Sequence, residues 1–396
     1  MLLFGRTKAA EALTLLKDGK VSRELLFEMI EVAERFSLKG NLVARYAAYL
    51  LITEENAYAL ACEKRKKGAS TIDSLALEDA RELLGIFTKD SDYDGYTPAV
   101  SGGSSEDVRA GRVITALSDS LLKCTTPEAL LSVLKKFYST NGSGIFALYR
   151  AFIIGENGKL CPVMQYSDVS FKGIYGYERQ KKQLCDNTEA FLKGKLANNV
   201  LLYGDSGTGK STAVKALLPM YEKQGLRMIG VQKHQFNFLP DIIGELSLRK
   251  YRYILYLDDL SFENFETEYK YLKAIIEGGV QERPENILIY ATSNRRHLVK
   301  ESFYDREGGG DIHREETTNE QVSLSERFGL QIYYAKPDRQ EYIDMVLFLA
   351  ESEHPEIPQD ELIAGANAWA VKHGGFSGRA AHQYILSLSA KAKSEE

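Results

Sequence analysis

An α/β fold, with a mostly helical domain ahead of it and a helical lid behind it, is what this chain of 396 residues predicts. Three observations carry that expectation. Before about residue 165 the apolar residues recur at helical spacing, and from about Ser167 short apolar runs alternate with helical stretches, the pattern of a parallel sheet flanked by helices. The third is a single strand, glycine loop and helix over residues 200–218. The expected boundaries are 1–165 for the helical N-terminal domain, 166–335 for the α/β domain that carries the glycine loop and 336–396 for the helical lid subdomain.

The helical spacing of the first region is carried by Ala10-Leu13-Leu16, Leu25-Leu26-Met29-Ile30-Ala33 and Val43-Tyr46-Ala47-Leu50-Leu51. A polar break from Asp90 to Asp107 interrupts it, and periodicity resumes near Val108 and continues to Tyr138. Nothing in this region has a catalytic pattern. Lys64-Arg65-Lys66-Lys67 reads as a solvated helix end, where cations complement the helix dipole, in preference to a phosphate contact. Residues 145–152 are apolar and aromatic enough for a helix or a strand packed against the next domain, and Asn157-Gly158 reads as a turn.

In the α/β region, strands are expected at 199–203, 227–231, 253–258, 287–292 and 330–335. Behind the first of them, Gly204 to Ser211 fits G-x-x-x-x-G-K-[ST], with a helix-compatible run over 213–218. The glycines let the backbone turn inward, so that successive N–H groups and a helix N-terminus face an anion. Gly204, Asp205, Ser206, Gly207, Thr208, Gly209, Lys210, Ser211 and Thr212 are therefore the candidate phosphate contacts. In such a loop the lysine neutralises phosphate charge and the serine ligates Mg²⁺, which assigns those parts to Lys210 and Ser211.

The apolar strand at 253–257 ends in Asp258-Asp259, 48 residues beyond Lys210. A buried parallel strand delivers such acids to the carboxyl edge of the sheet, beside the loop. Asp258 is the candidate second support of Mg²⁺, and Asp259 the group that orients or deprotonates an attacking water. Alone, this pattern would be a strand followed by an acidic turn; behind a phosphate loop the metal reading is preferred. The next strand ends in Asn294, whose amide can bond a phosphate and a water without adding charge. An isolated asparagine in that place would be only a turn former.

Lys336-Pro337-Asp338 opens the lid, because proline bars helix for the residue before it and Asp338 can cap the helix after it. Pro355 and Pro358 mark one linker within the lid and His373-Gly374-Gly375 another. Asp305 to Gln321 has no apolar period and reads as a mobile loop.

Composition narrows the class. With 44% hydrophobic and 27% charged residues the chain can bury sizeable cores, and its formal charge of −5 argues against a general nucleic-acid-coating surface. Cys62, Cys124, Cys161 and Cys185 lie far apart without metal-ligand spacing and read as buried free thiols of a reducing cytosol. The six histidines share no ligand spacing, so no protein-only metal site is expected. Gly5 and Arg6 break the apolar start at once, and no apolar run is long enough to cross a bilayer, so a cytoplasmic protein without membrane partners is expected.

Phosphate loop, Asp-Asp strand and strand-terminal Asn occur in the order found in the AAA+ ATPases, which the chain resembles from about Phe171 to Tyr384. Phe171-Lys172-Gly173-Ile174-Tyr175-Gly176-Tyr177 resembles that family's adenine-contacting segment, which implies nucleotide contacts at Ile174 and Gly176. Leu324-Ser325-Glu326-Arg327-Phe328-Gly329 is similar to the element bearing an arginine finger, and Gly375-Phe376-Ser377-Gly378-Arg379 to the sensor-2 segment of the lid. The strings at 257–263, 290–298 and 324–330 resemble an uncharacterised bacterial AAA+ family classed as a domain of unknown function. The resemblance implies ATP and Mg²⁺ as cofactors, catalytic parts for Asp259, Asn294, Arg327 and Arg379, a homo-oligomer, and ATP hydrolysis coupled to conformational change or assembly on an unspecified protein client.

Two departures qualify it. The family usually has Glu where Asp259 stands, one methylene shorter, which implies slow turnover, with Glu263 as the alternative acid. Gln232 to Phe238 lacks the aromatic-apolar-Gly pore triplet of protein-threading relatives, which weighs against a processive unfoldase. The second reading is accordingly a nucleotide-dependent switch or loader with slow hydrolysis, acting on a protein or DNA assembly. A small-molecule kinase ranks last, because it would not need Asn294, Arg327 and Arg379 at these positions. DNA as a partner has only Arg295-Arg296 and Arg249-Lys250-Tyr251-Arg252 in its favour, which ordinary solvated surface explains as well.

Overall fold

The computed structural model describes residues 7–64, 71–89, 92–99, 103–167, 169–262, 268–277, 284–295, 298, 324–353 and 357–392. The chain divides into two compact units, one of Met1–Ile153, Leu160–Ser167 and Leu248–Tyr251, the other of Ile154–Lys159, Asp168–Ser247 and Arg252–Glu396. Glu263, Arg296, His297 and the Asp305 to Gln321 stretch lie outside the described residues, as do Arg65, Lys66 and Lys67.

The first unit is helical. It contains α1 (Lys8–Asp18), α2 (Arg23–Phe36), α3 (Leu42–Thr53), α4 (Ala57–Lys64), α5 (Thr71–Thr88), α6 (Ser105–Leu121), α7 (Pro127–Asn141) and the single turn α8 (Ile145–Leu148). Side-chain caps start most of these helices: Thr7, Ser22, Asn41, Ser104 and Thr126 each accept a backbone N–H, and Ser104 with Asp107 completes a capping box. That box begins α6 three residues earlier than the apolar period alone indicates. At the centre lies α3, whose Ala44, Ala47 and Ala48 are fully buried and small enough for α2 and α6 to approach closely. Residues 145–152 are both a helical turn and the start of a strand: α8 ends at Leu148, and β1 (Ala151–Ile154) turns through Asn157-Gly158 into β2 (Leu160–Pro162).

Two expectations are corrected in detail. Cys62 and Cys124 are buried free thiols, but Cys161 is exposed and Cys185 half-buried, because strand and helix faces turn them outward. In the basic stretch at 249–252, Lys250 is exposed and Arg252 half-buried, but Arg249 is no part of a solvated surface. Arg249 is buried, with ion-pair partners in Glu55 and Glu63 and its guanidinium 5.1 Å over the Phe146 ring. Lys250 donates to the Thr140 carbonyl at 2.9 Å, and Tyr251 donates to that of Asn141.

The second unit is the α/β core with its lid. The core holds α9 (Glu178–Leu192), β3 (Val200–Gly204), α10 (Lys210–Tyr221), β4 (Leu226–Gly230), α11 (Leu239–Ser247), β5 (Arg252–Leu257), α12 (Glu268–Glu277), β6 (Ile287–Ser293) and β7 (Leu330–Tyr334). Each of the five expected strands is present with its ends within one residue. They are parallel, in the order β4-β5-β6-β3-β7. β6 is buried along its whole length and β5 along all but its first residue, as strands covered on both faces are. The chain leaves β3 through α10 for β4, three places away, while β7 pairs on its other side. The strand order therefore reverses at β3, and ligands of open α/β sheets lie beyond the carboxyl ends of the strands at such a reversal. The segment examined for a pore triplet forms a short 3-10 helix, Lys233–Phe238, with Phe236 buried.

The lid consists of α13 (Arg339–Glu353), α14 (Gln359–Lys372) and α15 (Gly378–Ala392) around a core that includes Tyr342, Val346, Leu362, Ala366, Ala381 and Ile385. Asp338 does cap α13: its carboxylate accepts from Glu341 N–H at 2.8 Å, and Glu341 accepts from Asp338 N–H at 3.0 Å. Pro358 immediately precedes α14, and Gly374 and Gly375, both at positive φ, end it with a 2.8 Å bond from Gly375 N–H to the Ala370 carbonyl.

Candidate functional site

At the carboxyl edge of β3 the chain makes its tightest passage. Gly204 has φ 130°, and a Cβ there would lie 2.1 Å from the Tyr334 carbonyl oxygen, so only glycine passes. The loop is then pinned from three sides: Asp205 N–H donates to the Tyr334 carbonyl at 3.2 Å, the Asp205 carboxylate accepts from Lys336 N–H at 3.1 Å, and Thr208 donates to the Asp205 carbonyl at 2.9 Å. Gly209 (φ 89°) turns the chain directly into α10. A cavity of about 1290 Å³ opens here, and residues 206–212 line it. The result is a rigid loop that runs into a helix N-terminus at a cavity wall, the arrangement that binds anions.

Lys210 is 6% exposed. Its ammonium donates to the Gly204 carbonyl at 2.8 Å, the Asp205 carbonyl at 2.6 Å and Asn294 Oδ1 at 3.2 Å. Burial lowers its pKa below the usual lysine value, against the opposing pull of Asp205 and Asp259.

The two acids at the end of β5 are held differently. Burial pushes the Asp258 carboxyl up, but hydroxyls of Ser211, Tyr256 and Thr292 and the charge of Lys215 outweigh it, so its pKa lies below the usual carboxylate value. Ser211 Oγ donates to Asp258 Oδ1 at 2.6 Å, Thr292 Oγ1 donates to the same oxygen at 2.8 Å, and Lys215 stands 3.6 Å from Oδ2. Asp259 occupies the left-handed region at φ 52°. Its N–H donates to Thr292 Oγ1 at 2.9 Å, and its carboxylate accepts from Asn294 Nδ2 at 2.8 Å.

The far wall of the cavity is apolar. Ile174 and Tyr175 reach it from a short 3-10 helix (Phe171–Gly173), and Met345, Phe348 and Leu349 come from α13, with the Tyr175 and Phe348 rings 5.5 Å apart. Lys181 fixes the segment by donating to the Ile174 carbonyl, and Tyr177 donates to the Ala335 carbonyl at 2.8 Å. Gly176 (φ 71°) makes the bend between Tyr175 and Tyr177 but does not itself line the cavity. From the lid, Arg379 lines the wall, and its N–H donates to the Gly207 carbonyl at 3.1 Å.

One cavity therefore brings together Ile174, residues 206–212, Asp258, Asp259, Asn294 and Arg379. Gly204 and Asp205 shape the loop from behind it. Arg327 does not line this cavity; it is half-buried in the turn before β7, where Leu324 and Phe328 are buried. Sequence reasoning missed Thr292, Lys215 and the Tyr175–Phe348 pair. Nothing in the spacing of a strand threonine or a helix lysine marks them; their partners are set by the neighbouring strand and helix.

The donor set suits a hard dication. Ser211 and Asp258 offer two adjacent oxygen atoms, the carboxylate is held ionised, and the remaining positions fall to water and phosphate oxygens, which is how Mg²⁺ is usually carried.

A family model described as "Protein of unknown function (DUF815)" matches residues 147–392. Among curated proteins, the large subunit of replication factor C from Methanococcus vannielii is 26% identical over 88 residues, which is 22% of this chain and 18% of that protein's length. Among solved structures, a RuvB variant from Thermotoga maritima aligns at 17% identity and a TM-score of 0.38, over 55% of this chain and 64% of that one. The ORC1 protein of Aeropyrum pernix in complex with DNA aligns at 16% identity and a TM-score of 0.40, over 55% of this chain and 61% of that one. No helix among the described residues is long and apolar enough to cross a membrane.

Proposed function

The chain belongs to the family described as protein of unknown function (DUF815), and from its phosphate loop, the acids beside it and the resemblance of its motifs to the AAA+ ATPases we propose that it binds Mg·ATP and hydrolyses it to drive a conformational change or assembly on a client protein. The observation that carries this reading is the bonded chain Ser211–Asp258–Thr292–Asp259–Asn294–Lys210, which runs from the phosphate loop across two strand ends and back. A nucleotide seated there has its phosphates against residues 206–212 and its base against Ile174, Tyr175 and Phe348. Lys210 neutralises phosphate charge, exchanging backbone carbonyl acceptors for phosphate oxygens. Ser211 and Asp258 are the residues that would hold Mg²⁺, which would supply charge stabilisation to the transferring phosphoryl group. Asp259 accepts the proton of the attacking water, and Asn294 orients that water from the other side. Arg379 reports phosphate occupancy to the lid through its place at the head of α15.

The second reading, a switch or loader with slow hydrolysis, is favoured by one observation: the Asp259 carboxylate is already engaged by Asn294 at 2.8 Å and is one methylene shorter than the Glu usual in the AAA+ ATPases that the sequence resembles. A homo-oligomer in which Arg327 serves a neighbouring subunit, and a cytoplasmic location supported by four free thiols, belong to the same proposal. Lys210→Ala tests it. Tight ATP binding should be lost with the fold retained, and an unchanged ATP affinity in the folded variant would remove the loop from the reading.

A further inference from the structure

We propose that Thr292 is the positioning residue that sets both acids of the site, directing Asp258 toward the metal and holding Asp259 in the backbone conformation from which it meets the water. The inference rests on the Mg·ATP reading of the same cavity.

β5 and β6 are parallel neighbours with Leu257 paired to Ala291, so Thr292 stands level with Asp258. A threonine hydroxyl has one proton and acceptor lone pairs, and Thr292 uses it in both directions. The proton goes to Asp258 Oδ1 at 2.8 Å, and the oxygen accepts the Asp259 N–H at 2.9 Å. Its own carbonyl accepts from Leu260 N–H at 2.7 Å, so one residue ties down three in succession. Thr292 is 2% exposed, at the wall of the cavity.

Asp259 is one of three non-glycine residues at positive φ among those described. Such a conformation persists only where the surroundings over-determine it. Here the constraint is visible: the N–H is fixed by Thr292 within β6 and the carboxylate by Asn294 just past its end, two residues apart. Without the Thr292 hydroxyl, Asp259 N–H has no acceptor and relaxes toward ordinary φ, which swings the carboxylate away from Asn294. Asp258 Oδ1 loses one of its two hydroxyl donors at the same time.

The test uses the full-length protein and two substitutions. Thr292→Val keeps shape and removes the hydroxyl; Thr292→Ser keeps the hydroxyl and removes the methyl. Two readouts are taken: kcat and KM for ATP, and the gain in ATP affinity on replacing EDTA with Mg²⁺. Thr292→Val should lower kcat on the order of 10–100-fold with little change in KM, and should shrink the Mg²⁺ gain by a factor of similar order. Thr292→Ser should restore both. Parental kcat and parental Mg²⁺ gain in folded Thr292→Val would overturn the inference, as would a Ser variant as impaired as the Val variant. If the parent protein binds ATP but does not hydrolyse it, the hydrolysis reading fails by itself, and the Mg²⁺ gain alone decides the part of Thr292. Should Thr292→Val not fold, Thr292→Ala takes its place. Failure of both to fold beside a folded Ser variant would make the hydroxyl a requirement of the sheet alone and overturn the inference.

Discussion

Asn294 joins Asp259 through a 2.8 Å hydrogen bond from its amide nitrogen, while its amide oxygen accepts from Lys210 at 3.2 Å. A neutral side chain thus bridges the loop cation and the strand-end acid. Each half of the amide has one role, and among other side chains only Gln, one methylene longer, carries both. Asn294→Ala should retain most ATP affinity, because Lys210 keeps two carbonyl acceptors, but it should lose about 10²–10³ in kcat, the usual worth of one preorganised donor at a developing charge. Asn294→Asp should fare worse than Ala in hydrolysis, since it sets a second carboxylate against Asp259. Steady-state kinetics at saturating ATP decide it, and parental turnover in Asn294→Ala would reduce this residue to a turn former.

The two acids should separate cleanly. On the proposed reading Asp258, bonded to Ser211 at 2.6 Å, would support the metal, so Asp258→Asn should weaken the Mg²⁺-dependent part of ATP binding. Asp259→Asn keeps size and loses basicity, so Mg·ATP binding should persist while hydrolysis falls roughly 10²–10⁴-fold. Asp259→Glu extends the acid by one methylene and should hydrolyse ATP faster than the parent if the short side chain limits turnover. Measured rates for these three variants discriminate an ATPase from a slow switch. Parental hydrolysis in Asp259→Asn would move the base to another acid, with Glu263 first to be replaced.

Much of this site was legible because it follows chain order. The glycine spacing 204-207-209 has a backbone consequence at each position, and an apolar strand that ends in two acids can deliver them only to the sheet edge. Thr292 and Lys215 were not legible, because their significance comes from a neighbouring strand and a helix face, which spacing along one chain does not encode. The stretch 249–252 misled for the same reason. Arg249 looks solvated, as Lys250 is, until Glu55 and Glu63, almost 200 residues earlier, are seen to pair with it. The burial of Arg249 also bears on the expected boundary near 165, since Leu248–Tyr251 packs with the helical unit although it lies deep in the α/β sequence.

Arg249 therefore has a stability signature. Its side chain is 4% exposed and that of Glu63 is 1% exposed, and Glu63 also accepts from Ser143 N–H and Oγ at 2.9 Å. Arg249→Ala removes one partner of a buried pair and should destabilise the helical unit by roughly 3–5 kcal/mol, whereas an exposed pair would be worth at most about 1 kcal/mol. Urea unfolding followed on the helical unit's own transition measures it. A fragment of residues 166–396 should for the same reason bind ATP but resist purification until Arg249 and Tyr251 are made small and polar. A change under 1 kcal/mol in Arg249→Ala would place this cluster at the surface.

Arg327 stands apart from every other candidate. Leu324 and Phe328 are buried on either side of it, Gln331 Nε2 donates to the Ser325 carbonyl at 2.7 Å, and Arg327 itself is half-buried and does not line the cavity. On the reading proposed above, this arginine serves the phosphates of a neighbouring subunit. A guanidinium supplied between subunits is worth about 10³–10⁵ in rate, so the isolated subunit should be nearly inactive and activity should rise with protein concentration. Mixing Arg327→Ala, which keeps its phosphate loop, with Lys210→Ala, which keeps its arginine, separates the two placements. Each alone should be inactive, and mixed assemblies should regain ATPase activity wherever an intact loop meets an intact Arg327. Parental activity in Arg327→Ala alone, or no recovery despite co-assembly seen by sedimentation, would confine Arg327 to the surface of its own subunit and leave the chain as a self-contained ATPase or switch.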